Sequence, residues 1–326
     1  SDLTDGAGHR PRWPSSRDGA SSSHAGRRDG ASSAVAPEVI RHIVSLGCRC
    51  SQASILKAFG RRRYACPFDW IFSSARVVAH CLKDDFASFL DQGQYFLNAT
   101  TFDAIGLQPG SRPRERRLIG HRLYSEMTAG VGRGTIFNHR DPLNVPEDLE
   151  YLRRAVERFR QILRRNGERK LFVMLNLNKQ LWVEDDIRAL FEELCRRSDD
   201  FDLIAVDCVR NIGPRALDLG VEEIAREHRG QRCSSRLVMY RFFCVGDNTG
   251  SYFREDGDAE RLKAILLDPY TFDLAEDPLL QSPDCESEQQ DRRSAGRSKA
   301  HCTTEEQHSV VGGNPDDRAA GSEDKP

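Results

Sequence analysis

Two cysteines, Cys48 and Cys50, follow a short apolar run (Ile43, Val44, Leu46) that closes on Gly47. The run reads as a strand entering a turn. Ala53, Ile55, Leu56 and Phe59 then recur at near-helical spacing until Gly60 stops the helix. Cys50 therefore stands at or just before a helix N-terminus near Ser51-Gln52. Unpaired backbone N–H groups and the helix dipole there favour a thiolate over a thiol, and a thiolate so placed is a nucleophile for acyl transfer. Cys48, against Gly47, lies nearer the strand and reads as a packed residue or a redox neighbour. Burial as small hydrophobic side chains is the competing account of both.

A thiol nucleophile needs a base and a group to orient that base. Of the nine histidines, His9, His24, His301 and His308 lie in polar ends, His80 sits in a helical pattern and His42 opens a strand. His139 follows the strand-like Thr135-Ile136-Phe137 and precedes the turn Arg140-Asp141-Pro142. That puts it at a strand end, although a lone histidine is more often structural. In open α/β sheets the ligand crevice lies outside the carboxyl ends of the strands. The residues following the expected strands are Cys48 and Cys50, His139, Asn176 and Asn178, Asp207, and Asp247 with Asn248. Parallel neighbouring strands would bring a thiol, an imidazole and amide or carboxylate groups to one edge. Asp69, between Phe68 and Trp70, would be desolvated and its carboxyl raised unless a donor pairs with it. Capping the turn at Pro67 is its expected role.

The elements that must position these groups alternate. Val77 to Leu90 has helical spacing, and Leu149, Leu152, Val156, Phe159 and Leu163 share a helical face that ends near Asn166-Gly167. Leu171 to Leu177 is a nearly continuous apolar run of the buried-strand type. Ile187, Leu190, Phe191 and Leu194 make a helix, Leu203 to Val206 a strand, residues 215–227 a weaker helix, Leu237 to Val245 a strand and 259–267 a last helix. Residues 92–133 are rich in Gly, Pro and Arg and read as a surface excursion partly covering a site. The alternation predicts an α/β fold, a mainly parallel or mixed sheet flanked by helices.

The chain has 326 residues. Residues 1–37 and 281–326 are polar and poor in large apolar side chains, and are expected to be disordered tails around one domain at 38–280. Basic and acidic residues nearly balance, 48 against 50. The clusters Arg61-Arg62-Arg63 and Arg112 to Arg117 have no aromatic interleaving, so a solvated face is preferred to a nucleic-acid surface. No apolar run approaches the ~20 residues of a membrane span, and no secretory signal opens the chain. A cytoplasmic protein with reduced thiols fits its ten scattered cysteines. The sequence does not begin with Met, so a lost targeting segment is compatible with it. Paired zinc-knuckle spacing is absent, Gly47 is the only glycine in its loop, and no cofactor is expected. Oligomeric state is not encoded in any recognisable pattern.

Ser45-Leu46-Gly47-Cys48-Arg49-Cys50-Ser51-Gln52-Ala53, the Leu56 to Gly60 step and Pro67-Phe68-Asp69-Trp70 together resemble a domain family labelled "putative papain-like cysteine peptidase". Its pattern is similar to S-L-G-x-x-C-x-x-A, then P-F-D-W, then a strand ending in His before a long helix. The resemblance selects Cys50 over Cys48 and matches the histidine to His139. It implies a peptide, amide or ester substrate, with Cys50 as nucleophile, His139 as base and acid, and Asn176 as orienter. Asn178 and Asp207 are alternatives for that third role. An α+β papain-like fold is the alternative architecture it implies. The chain lacks the C-G-S-C-W signature of papain and a glutamine shortly upstream, so helix-start N–H groups are expected to receive an oxyanion. A different class, an α/β transferase or binding domain for a sugar or nucleotide with a structural Cys50, stays open, as does a non-catalytic interaction module.

Overall fold

The computed structural model describes residues 39–274 apart from 104–113, 129–131, 178–180, 230–233 and 249–252. The polar ends assigned as tails, and Asn178, fall outside the described residues. In chain order the elements are β1 (Val39–Ile40), β2 (His42–Ser45), α1 (Cys50–Ala58), α2 (Ala75–Lys83), β3 (Tyr95–Asp103), β4 (Arg114–His121), α3 (Arg122–Met127), β5 (Thr135–Phe137) and α4 (Pro146–Leu163). They continue with β6 (Lys170–Asn176), α5 (Glu184–Cys195), β7 (Phe201–Val209), α6 (Arg215–Leu219), β8 (Val221–His228), β9 (Arg236–Phe243), α7 (Asp256–Leu266) and β10 (Thr271–Phe272).

The main sheet has the order β2-β6-β7-β9-β8, with the first four strands parallel and β8 antiparallel to β9. This is the expected α/β architecture with a mixed edge. Every residue of β6 is buried, which accounts for its unbroken apolar run. Alternate side chains serve two cores. Phe172 and Met174 join Leu203, Leu237 and the inner faces of α2, α4 and α5. Leu171, Val173 and Leu175 join Ile55 and Leu56 of α1 and Leu262 and Leu266 of α7. In α4, Pro146 at the first turn and the acids Glu147 and Asp148 complement the helix start. At the amino ends of the strands, Arg169 and Arg236 both donate to the fully buried carboxylate of Asp202, at 2.7 Å and 2.6–2.8 Å.

Three expectations change. Residues 92–133 contain β3 and β4, which pair antiparallel and extend to β5 in a second, three-stranded sheet. The strand before His139 therefore belongs to this sheet and not to the parallel one. Residues 215–227 form the short α6 and then the edge strand β8, because β8 closes on β9 along its whole length. The helix over 77–90 ends at Lys83, where Asp85 and Phe86 take positive φ values of 50° and 62°. A third sheet is the two-residue parallel pair β1–β10.

Candidate active site

Between β2 and α1 the chain turns through two consecutive positive-φ residues, Gly47 (φ 88°) and Cys48 (φ 97°). A Cβ on Gly47 would lie 2.2 Å from Ser73 Oγ and 2.9 Å from the Phe68 carbonyl oxygen, so the position requires glycine on space as well as on φ. Cys48 holds a strained conformation of the kind that costs roughly 1–3 kcal/mol and persists only when its surroundings impose it. Ser73 imposes it here: the Cys48 N–H donates to Ser73 Oγ at 2.9 Å, and that hydroxyl donates to the Leu46 carbonyl at 3.2 Å. Arg49 returns to extended backbone, and α1 begins at Cys50. Gln52 fixes the helix against the sheet. Its amide donates to the Val173 carbonyl and accepts from the Leu175 N–H at 2.8 Å, continuing the β2 ladder on β6 after β2 itself has ended.

Cys50 is 5% exposed, and its Sγ lies 2.8 Å from Nε2 of the exposed His139, 89 residues away. The P-F-D-W loop joins the two segments. Ser73 N–H donates to the Cys48 carbonyl at 3.4 Å, Phe72 N–H donates to the Ile136 carbonyl at 2.9 Å, and Ile71 bridges Phe137. Phe68, fully buried among Phe86, Phe89 and Phe159, anchors this loop in the core. Asp69 has the structural role expected of it, accepting from the Cys66 N–H at 2.8 Å and from Arg62 Nε at 2.9 Å. Arg62 also covers the Trp70 ring, whose edge meets His139 at a centroid separation of 5.8 Å. The Arg61–Arg63 cluster is thus partly packed structure and not only a solvated face.

The other side of the imidazole is held by β4. Arg116 donates through Nε to the Asn138 carbonyl at 2.7 Å, and its Nη2 lies 3.0 Å from His139 Nδ1. A guanidinium has only donors, and Arg116 sets a positive charge beside the ring. Asn138 Nδ2 stands 3.5 Å from Nε2, and its side chain hydrogen-bonds the Cys50 sulfur. Burial pushes the Cys50 thiol up from its ordinary value, against the pull of Asn138, the local backbone N–H, Arg116 and Arg49. The helix start alone had suggested a thiolate. Desolvation outweighs it here.

Asn176 is drawn into a different set of bonds. Its Nδ2 donates to Asp207 Oδ1 at 3.0 Å, as expected for register partners on β6 and β7, and its Oδ1 faces the thiol of Cys48 at 3.9 Å. Asp207 in turn lies 3.7 Å from Arg241. Cys48 is 2% exposed, and burial pushes its thiol up as well. The structure therefore brings Cys50 and His139 together and places Asn176 and Asp207 on each other beneath Cys48. Arg116, Asn138, Gln52 and Ser73 were not singled out by sequence. Of these, Gln52 lay within the motif around Cys50 and Arg116 within a basic cluster.

The described cysteines, Cys48, Cys50, Cys66, Cys81, Cys195, Cys208 and Cys244, are all free thiols. Among the described residues no group of three or more His, Cys, Asp or Glu side chains is placed to hold a metal ion, and no helix is long and apolar enough to cross a membrane.

Fold and site define an α/β protein with a buried cysteine at a strand-to-helix turn in contact with a histidine from a separate antiparallel sheet. Residues 41–206 match the family described as "Putative papain-like cysteine peptidase", and the chain belongs to that family. No curated protein and no solved structure matches it.

Proposed function

We propose that this chain is a thiol-dependent hydrolase or acyl transferase acting on a peptide, amide or ester, with Cys50 as nucleophile and His139 as general base and acid. The 2.8 Å approach of Sγ to Nε2 carries this reading, and family membership supports it. In the reaction the Sγ proton passes to Nε2 and sulfur bonds to the carbonyl carbon. The oxyanion meets the first N–H groups of α1. Collapse breaks the bond to the leaving group, which takes the proton from Nε2, and water or another nucleophile then cleaves the thioester.

The test is hydrolysis of a panel of peptide amides, thioesters and activated esters by the full chain. Loss of at least about 100-fold is expected in Cys50→Ala with the fold unchanged by circular dichroism. Undiminished turnover in that variant overturns the proposal.

The polar row Asn176, Asp207 and Arg241 at the carboxyl ends of β6, β7 and β9 favours a second reading, a sugar or nucleotide site with Cys50 structural. A thermal shift with nucleotides or nucleotide sugars that survives Cys50→Ala would favour it over the first.

A further inference from the structure

We infer that Asn138 is a further catalytic residue, whose side-chain amide donates to the oxyanion formed when Cys50 attacks a carbonyl. The inference rests on the Cys50–His139 reading and adds a residue to that site.

Three groups converge on one point. Sγ of Cys50 lies 2.8 Å from Nε2 of His139, and Nδ2 of Asn138 lies 3.5 Å from the same Nε2. The Asn138 side chain also hydrogen-bonds the Cys50 sulfur, and that bond favours the thiolate. The backbone keeps the amide in this place. Asn138 is the first residue after β5, and its carbonyl accepts from Nε of Arg116 on β4 at 2.7 Å. Its side chain is half-buried. On the helix side, Arg49 gives α1 no side-chain cap and the first turn holds no acid, so the environment favours an anion.

An amide nitrogen carries two hydrogens, and one suffices for the sulfur. The oxygen of a bound acyl group is attached to the carbon that sulfur attacks, so bond formation brings it beside the second. In that step the Sγ proton passes to Nε2, sulfur bonds to the carbonyl carbon, and the carbonyl π pair moves onto oxygen. The oxyanion accepts from Nδ2–H of Asn138 and from the first N–H groups of α1. Collapse returns the pair to the carbonyl and breaks the bond to the leaving group. Negative charge thus moves from sulfur to an oxygen next to it, with Asn138 placed to serve both. The bond to oxygen strengthens as the tetrahedral centre forms, so it speeds acyl transfer and not merely thiol ionisation.

The experiment compares two reactions of Cys50 in the full chain, each mapped to Cys50 by mass spectrometry. Acylation by p-nitrophenyl acetate passes through an oxyanion, and alkylation by iodoacetamide does not. Both consume the thiolate, so the ratio of their rates at one pH cancels any change in thiol ionisation. Nitrophenolate leaves without a proton, which removes the acid role of His139 from the comparison. Asn138→Ala is expected to lower the acylation-to-alkylation ratio about 100-fold. Asn138→Asp keeps the shape but replaces the donor by an acceptor, and should lower the ratio at least as far. Both variants retain the backbone carbonyl that binds Arg116. An unchanged ratio in either variant, with wild-type Cys50 acylated, overturns this inference alone. A wild-type Cys50 that is alkylated but never acylated overturns the Cys50–His139 reading with it.

Discussion

Arg116 Nη2 and His139 Nδ1 lie 3.0 Å apart, on the far side of the imidazole from Cys50. In a Cys–His hydrolase that position belongs to an acceptor, an amide or carboxylate that holds the ring with hydrogen on the distal nitrogen. Arg116 instead sets a donor and a positive charge against the ring.

Cys50 alkylation should therefore be slow at neutral pH in chloride buffer. Burial favours the neutral thiol, so the thiolate dominates only above the ordinary thiol range of about 8.5. The rate should still be climbing at pH ~9, and Arg116→Gln, which removes a favourable charge, should move the profile further upward. A plateau at or below neutrality, measured by iodoacetamide kinetics with mass-spectrometric mapping, would contradict this.

Gly47→Ala should damage turn and fold together. The added carbon meets Ser73 Oγ and the Phe68 carbonyl at a positive φ, so either Ser73 leaves Cys48 or the P-F-D-W loop shifts. A stability loss of about 1–3 kcal/mol is expected, read from denaturant midpoints, with His139-dependent alkylation lost as well. A wild-type midpoint would show that the turn tolerates a side chain.

Gln52→Leu keeps the bulk but leaves the Leu175 N–H without its acceptor in a dry interior, while the Val173 carbonyl keeps the Leu46 N–H at 2.8 Å. The orphaned N–H costs about 1–3 kcal/mol. Equilibrium unfolding should show the loss, and amide hydrogen exchange should quicken at Leu175 ahead of the rest of β6. Unchanged exchange at Leu175 would mean that the Gln52 amide is not its protection.

Asp202→Ala leaves the guanidinium of Arg169 without its buried counter-charge at the amino ends of β6, β7 and β9. A cost of about 3–5 kcal/mol is expected, far from the thiol. Cys50 alkylation measured on the folded fraction should keep the wild-type pH profile. An altered profile would mean that the two sheet ends are coupled.

The sequence by itself determined the local features. Gly47 before Cys50 marked the turn, because only glycine satisfies both the φ and the space beside Ser73 and Phe68. The unbroken apolar run of β6 marked a buried parallel strand, because both of its faces are covered by helices. Tertiary structure decided the partners. Asn176 and Asp207 both sit at strand ends as expected, but parallel register set them opposite each other and so bonded them together. His139 reached Cys50 through the antiparallel β3-β4-β5 sheet, and pairing of β4 with β5 carried Arg116 to the imidazole. Residue types and spacing describe what one segment can do. Which donor faces which nitrogen depends on strand pairing between distant segments, and a single sequence carries no periodicity that records it.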